Sequence, residues 1–164
     1  MRVLTEAEIR SSFVNCTKGE TRRLPVPRDL AGRPWDDLDF LGWVDPAAPD
    51  RAYLVADVGT GPVGVALRRA RAGAGRLRRT MCSLCLTTHT AGGVALLTAR
   101  RAGKRGQQGD SVGLYVCSDL ACPLYLRGKK EVWAAGRLDE SLSVEAKAER
   151  LVTNLAGFLG RVTA

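Results

Sequence analysis

Two stretches decide what this chain can become: Met81-Cys82-Ser-Leu-Cys85-Leu-Thr-Thr-His89 and Gly113-Leu-Tyr-Val-Cys117-Ser-Asp-Leu-Ala-Cys122-Pro-Leu-Tyr-Leu-Arg127-Gly-Lys129. Four of the five cysteines lie in these two short turns. A tetrahedral zinc site needs four soft or borderline ligands from two places in the fold, and two closely spaced pairs supply two each. Cys-x-x-Cys is the usual knuckle spacing, and Cys-x-x-x-x-Cys is the wide end of the range. Structural zinc is therefore the expected cofactor, held by Cys82, Cys85, Cys117 and Cys122. His89, the single histidine, follows Cys85 at Cys-x-x-x-His spacing and stands as the substitute for Cys82 or Cys85. Cys16 sits alone and reads as a small buried hydrophobe.

Other uses of the thiols fit less well. Disulfides need an oxidising compartment, and Met1-Arg-Val-Leu-Thr-Glu-Ala-Glu-Ile-Arg10 places charges where an export signal needs an unbroken apolar run. A reduced, cytoplasmic chain is the expectation. A thioredoxin-type pair at Cys82 and Cys85 would leave Cys117 and Cys122 unexplained.

Working outward from the cysteines, Gly93–Ala99 and Gly113–Cys117 read as strands, the second delivering the second ligand pair. Cys117-Ser-Asp-Leu-Ala-Cys122 reads as the first turn of a short helix that runs toward Leu126. Knuckle, hairpin and ligand-bearing helix start make a treble-clef module over about 80–130. Upstream, Arg51–Ala56 and Pro62–Leu67 flank Gly59-Thr-Gly61 and read as a β-hairpin. Thr5-Glu-Ala-Glu8 is a capping-box pattern followed by Ile9, Phe13 and Cys16, which predicts one amphipathic helix over 5–18. Leu24 to Pro34 is broken by prolines and a glycine and reads as an extended connector. Ser143 caps a closing helix with Leu151, Val152, Leu155, Phe158, Leu159 and Val162 on its apolar stripe. The fold class is α+β: a mixed β-sheet with flanking N- and C-terminal helices and an embedded treble clef. At 164 residues and 45% hydrophobic content, one domain spanning 1–164 is expected. No apolar run approaches the ~20 residues of a membrane-spanning helix.

The charge of +8 is unevenly placed. Arg68 to Lys130 holds thirteen Lys or Arg against Asp110 and Asp119, a balance of +11; the remaining twelve bases and fifteen acids give −3. Arg68 to Arg79 contains six arginines and reads as a solvent-facing link into the knuckle. Arg100 to Asp110 reads as a basic loop. Arg100, Arg101, Lys104, Arg105, Arg127, Lys129 and Lys130 are the candidate partner-binding residues, since concentrated like charge speeds encounter with polyanions. Aromatics are 5% of the chain and are missing from the basic stretches, which leaves base stacking without an obvious platform.

Catalysis finds few candidates. A zinc hydrolase or deaminase needs an open coordination position and a nearby general base, typically a His-x-Glu beside a Pro-Cys-x-x-Cys, and neither pattern occurs. The chain reads as a non-enzyme.

Leu41-Gly-Trp-Val-Asp45-Pro, Arg51-Ala-Tyr-Leu-Val55, Cys82-Ser-Leu-Cys85 and the Gly113 to Lys129 stretch resemble the treble-clef domain of the FusB-type elongation factor G-binding proteins. That family includes short actinobacterial members labelled fibronectin-binding, the FBP domain. The likeness runs from about residue 5 to 160. It implies a zinc-binding treble clef on an α/β platform that contacts elongation factor G, with translation and the ribosome as the setting. Carried over by position, the zinc ligands would be Cys82 or Cys85, His89 or the other knuckle cysteine, Cys117 and Cys122. The better-known members release the factor from ribosomes stalled by fusidic acid. They carry a separate N-terminal helical bundle that this sequence lacks beyond its first helix, and resistance to fusidic acid is implied only to that extent. The alternative function is a general ribosomal RNA-binding zinc protein that neutralises phosphates without elongation factor contact.

Overall fold

The computed structural model describes residues 1–70, 80–90, 92–132 and 140–164. The N-terminus folds by the expected cap, and then departs from expectation. Glu8 N–H donates to Thr5 Oγ1 at 3.2 Å and Thr5 N–H donates to Glu8 Oε2 at 2.8 Å, closing the capping box that starts helix α1, Glu6–Ser11. The backbone N–H of Thr5, with its hydroxyl, pulls the Glu8 carboxyl down to about 2. The helix stops after Ser11 because the next residues pair with a strand. Gly64 N–H donates to Ser12 O at 2.9 Å, Val14 N–H donates to Gly64 O at 3.0 Å, and Phe13 forms a parallel bridge to Gly64. A Cβ at Gly64 would lie 2.5 Å from Ser12 Oγ and 3.1 Å from the Phe13 ring, so only glycine admits this approach. A second capping box, Thr17 with Glu20, then starts helix α2, Lys18–Arg22. The single helix expected over 5–18 is thus two short helices with a bridge between them, and Cys16 lies between the helices.

The expected connector contains a 3-10 turn at Leu30–Gly32, and a second one at Trp35–Asp37 leads into the sheet. Its strands are β1 (Leu41–Val44), β2 (Arg51–Asp57) and β3 (Pro62–Arg69), then β4 (Thr80–Met81), β5 (Thr88–His89), β6 (Val94–Arg100) and β7 (Ser111–Cys117). Five of them form one sheet in the order β1-β2-β3-β6-β7, and β4 with β5 forms a small hairpin. Every pairing between named strands is antiparallel, so the only parallel element of the expected mixed sheet among the described residues is the Phe13–Gly64 bridge. The β2–β3 hairpin turns where expected, with Gly59 and Gly61 at φ of +87° and +120°. Neighbours β3 and β6 pair at Arg68–Thr98 and Arg69–Leu97, with Ala70 N–H donating to Leu96 O at 2.9 Å, and the cysteine knuckle is inserted between them in sequence. Residues 71–79 of the expected arginine-rich link lie outside the described residues.

The period-2 alternation of the strands splits the core in two. On one face, residues such as Leu54, Val65, Leu97, Leu114 and Val116 pack with helix α5, Val144–Thr163, through Leu151, Leu155, Phe158, Leu159 and Val162. Each of these helix side chains contributes about 1.5–3 kcal/mol on burial. Ser143 Oγ caps the helix by accepting from Ala146 N–H at 3.2 Å. Val152, expected on the stripe, is 47% exposed; it falls outside the arc that faces the sheet. On the other face, Trp43, Tyr53 and Val55 pack with Leu4, Ile9, Phe13, Leu24 and Trp35. Phe13 meets Trp43 and Tyr53 edge to face at 6.3 and 6.0 Å.

The expected basic loop after β6 contains a one-turn helix α3, Gly103–Gln107, in which Gly106 packs directly on the Arg101 carbonyl. After β7 comes helix α4, Cys122–Leu126, with Pro123 in its first turn, where a missing N–H costs nothing. No helix among the described residues is long and apolar enough to cross a membrane.

Candidate metal centre

The knuckle between β4 and β5 is built by its own backbone. Cys82 N–H donates to Thr87 O at 3.0 Å and Leu86 N–H donates to Cys82 O at 3.0 Å, which curls the turn so that Leu84 N–H points at Cys82 Sγ, 3.4 Å away. Leu86 completes the turn at φ +56°. The second ligand loop repeats the device: Leu120 N–H donates to Cys117 O at 2.8 Å and Leu120 sits at φ +58°. Left-handed backbone is costly for a leucine, and two such residues, each next to a cysteine pair, mark turns held open by something beyond their own preference.

These turns bring four thiols together. Cys82 Sγ lies 3.6 Å from Cys122 Sγ, Cys85 Sγ lies 3.6 Å from Cys117 Sγ, and all four sulfurs lie within 4.8 Å of one another. The cysteines are buried, none more than 5% exposed, and none is disulfide-bonded. A zinc ion with Zn–S bonds of about 2.3 Å sets its sulfurs about 3.8 Å apart at the corners of a tetrahedron. The observed spacing fits that group. Burial by itself disfavours the charged thiolate at Cys122. A buried set of four thiolates cannot stand without a cation, and zinc supplies it. Four protein ligands fill a tetrahedral shell, which suits a structural metal.

Residues 8–162 match the model of the FBP C-terminal treble-clef zinc-finger. The chain belongs to this family. No curated protein and no solved structure matches it. The family description and the four-cysteine cluster agree on zinc as the cofactor of this FBP treble clef.

His89, the substitute ligand of the sequence, lies beside the four-sulfur set. Its Nε2 is 3.3 Å from Cys117 Sγ, and burial pushes its pKa down against the opposing pull of Asp119. A neutral imidazole protonated at Nε2 donates to the Cys117 sulfur, the outer-shell role that steadies a metal thiolate. Gly93 makes room for the ring, since a Cβ there would come within 2.7 Å of His89 Nδ1. Tyr125 meets the imidazole edge to face at 4.7 Å and donates its hydroxyl to Asp119 Oδ2 at 2.8 Å. Burial disfavours the Asp119 carboxylate, but Lys130 Nζ at 2.7 Å, Ala121 N–H and the Tyr125 hydroxyl outweigh it and hold its pKa down. A chain of contacts therefore runs from the sulfurs of the FBP site through His89, its ring packed on Tyr125, and on by hydrogen bond and ion pair through Asp119 to Lys130 at the surface. Sequence spacing carried no signal for it beyond the nearness of His89 to Cys85.

Several contacts fix the knuckle and the second ligand loop of the FBP module in place. Asn154 of α5 donates to Leu84 O at 3.1 Å, inside the knuckle. Ser83 N–H donates to Tyr115 O on β7 at 2.7 Å. Gly42 of β1 lies against Leu120: a Cβ on Gly42 would overlap the Leu120 side chain and sit 3.0 Å from its carbonyl oxygen. Gly42→Ala is expected to cost about 1–3 kcal/mol by overpacking, lowering Tm by about 5 °C. Because Leu120 lies between two ligands, the same variant should lose zinc faster to a competing chelator. Unchanged Tm and unchanged zinc transfer would refute that coupling.

The seven candidate partner-binding residues form two groups. Arg127 makes a two-pronged ion pair with Asp39 at 2.7 and 2.9 Å with both side chains largely buried, so it anchors α4 to the segment before β1. Lys129 pairs with Asp37 and Lys130 with Asp119, and both lysines remain about half exposed. In the other group Arg100 pairs with Glu20, and Arg101 and Arg105 share Asp110. Arg101 is mostly buried and also donates to Arg161 O at the end of α5. Lys104 has no ion-pair partner among the described residues.

Proposed function

We propose that the protein is a non-enzymatic, cytoplasmic zinc-binding protein, one domain over 1–164, that binds elongation factor G on or off the ribosome and so modulates translation, including rescue from fusidic-acid-type stalling. Membership of the FBP treble-clef family supports this reading, together with the resemblance of Gly113 to Lys129 to the elongation factor G-binding proteins. The observation that carries it is the course of the chain after the metal. The Cys117–Cys122 loop passes into α4, which is capped by Arg127 and followed by Lys129 and Lys130. Arg127 is pinned by Asp39, which fixes the platform, while Lys129 and Lys130 keep their ammonium groups at the surface. A rigid metal-held edge with cations facing outward suits an acidic protein surface.

The test is a pull-down with tagged, zinc-loaded protein from host lysate at low and high salt, with elongation factor G and ribosomal RNA quantified before and after nuclease. Stoichiometric elongation factor G that survives nuclease is the expected result. Lys104→Glu and Lys129→Glu, both at exposed sites, should reduce recovery with little change in Tm. Recovery that disappears with nuclease would replace this reading with RNA binding, and unaltered recovery in both variants would place the contact elsewhere.

A further inference from the structure

On the sheet face opposite α5, beside the N-terminal core, a cavity of about 420 Å³ is lined by Arg23, Arg51, Arg68, Arg100, Glu20 and Asp45. Its floor is an arrangement that costs stability. Arg51 of β2 and Arg68 of β3 are direct cross-strand partners, and like charges set opposite each other repel. Arg68 in turn pairs with Thr98 of β6, so Arg100, two residues further on, shares that face one diagonal step away. Three arginines thus occupy neighbouring positions on three adjacent strands. Of the three, only Arg100 is answered by an acid nearby. Glu20 is engaged by Arg100 at 2.8 Å and by Thr17 N–H at 2.7 Å, and Asp45 is buried and accepts from Ala47 N–H at 2.9 Å. Arg23, Arg51 and Arg68 have no ion-pair partner among the described residues. Thr98 and Ser111 add hydroxyls, and Leu24 and Pro25 add an apolar wall.

We propose that this cleft binds a phosphorylated small molecule of nucleotide size, with its phosphate groups held between Arg51, Arg68 and Arg100. The guanidinium fork matches phosphate oxygens two at a time, and a diphosphate carries enough charge and acceptors to answer three arginines together. The volume lies in the range of small-ligand sites, and a concave wall of mixed apolar and hydroxyl groups suits the sugar or base attached to such a phosphate. The four thiols belong to the core on the other face, with α5, so this site is separate from the metal and stands or falls independently of elongation factor G binding.

The experiment is calorimetric titration of the zinc-loaded full chain with pyrophosphate, adenosine diphosphate and guanosine diphosphate, alongside thermal melts. One-to-one saturable binding by at least one of the three, with a raised Tm, is expected. Arg68→Gln should weaken that binding by about 10-fold to 100-fold, the loss of a charged hydrogen bond. Without ligand its Tm should be unchanged or higher, because the repulsion with Arg51 is relieved. Lys104→Gln, outside the cleft, should leave affinity unchanged. Absence of saturation at millimolar ligand, or equal affinity in the two variants, would overturn the proposal. So would binding of an RNA oligonucleotide that depends on Arg68 while none of the three small ligands binds.

Discussion

Removing the zinc is expected to unfold far more than the knuckle. Apparent binding free energies of structural zinc in small modules are about 10–16 kcal/mol near neutral pH, comparable to the whole stability of a domain. Here the ligands are not confined to a separate lobe. Cys82, Cys85, Cys117 and Cys122 are members of the same buried cluster as Leu97, Leu114, Leu151 and Phe158. From the sequence, loss of metal threatens residues 80–130 and spares the terminal helices. From the packing, α5 should be lost with them, because Asn154 holds the knuckle and Leu151 and Leu155 lie in the core that contains the sulfurs. Stoichiometric chelation should therefore abolish amide-exchange protection in β6, β7, α4 and α5, while α1 and β1 with the Trp43–Tyr53–Phe13 cluster retain part of theirs. Cys117→Ser should do the same in milder form and lower Tm by about 10 °C or more. Since the ligands bind metal as thiolates, zinc retention should fall as pH falls. One zinc per chain by native mass spectrometry and exchange profiles with and without metal are the measurements. A metal-free chain whose α5 exchanges as slowly as before would show that the two layers are uncoupled.

The second large effect is expected at Phe158. Its side chain is fully buried at the centre of the α5 face, among Leu155, Leu159 and Val162. Phe158→Ala removes the ring and leaves a cavity that close-packed neighbours fill only in part, at a cost of about 3–5 kcal/mol. For a chain of this size that is a fall in Tm of about 10 °C. Val152→Ala on the same helix, at a position 47% exposed, is the control and should change stability by no more than about 0.5 kcal/mol. Equal effects at the two positions would mean that α5 does not dock by the face described.

The four-cysteine cluster was legible because the signal is local: each cysteine pair is a self-contained turn whose spacing survives any rearrangement of the rest. The β2–β3 hairpin and the Ser143 cap were legible for the same reason. The helix over 5–18 was misjudged because Phe13 satisfies helical spacing equally well, and what recruits its segment to β3 is Gly64, far along the chain. The second capping box, Thr17 to Glu20, was present as a pattern and could have placed the break. Sheet order was not legible, since β3 meets β6 across the entire knuckle insertion. The company kept by the basic residues was hidden too. Arg127 finds Asp39 at a separation of 88 residues, and without that partner it reads as a free cation. His89 could not be assigned from spacing alone, because a ligand and a hydrogen-bond donor to a ligand occupy the same place in sequence.

The bond from Ser83 N–H to Tyr115 O has a protective meaning. β7 is the last strand of the sheet, and an open strand edge offers unpaired backbone groups to any passing chain. The knuckle sits on that edge and engages it. Zinc therefore acts as a guard against self-association: by holding the knuckle in place it keeps the backbone of β7 at Tyr115 occupied and closed to another chain.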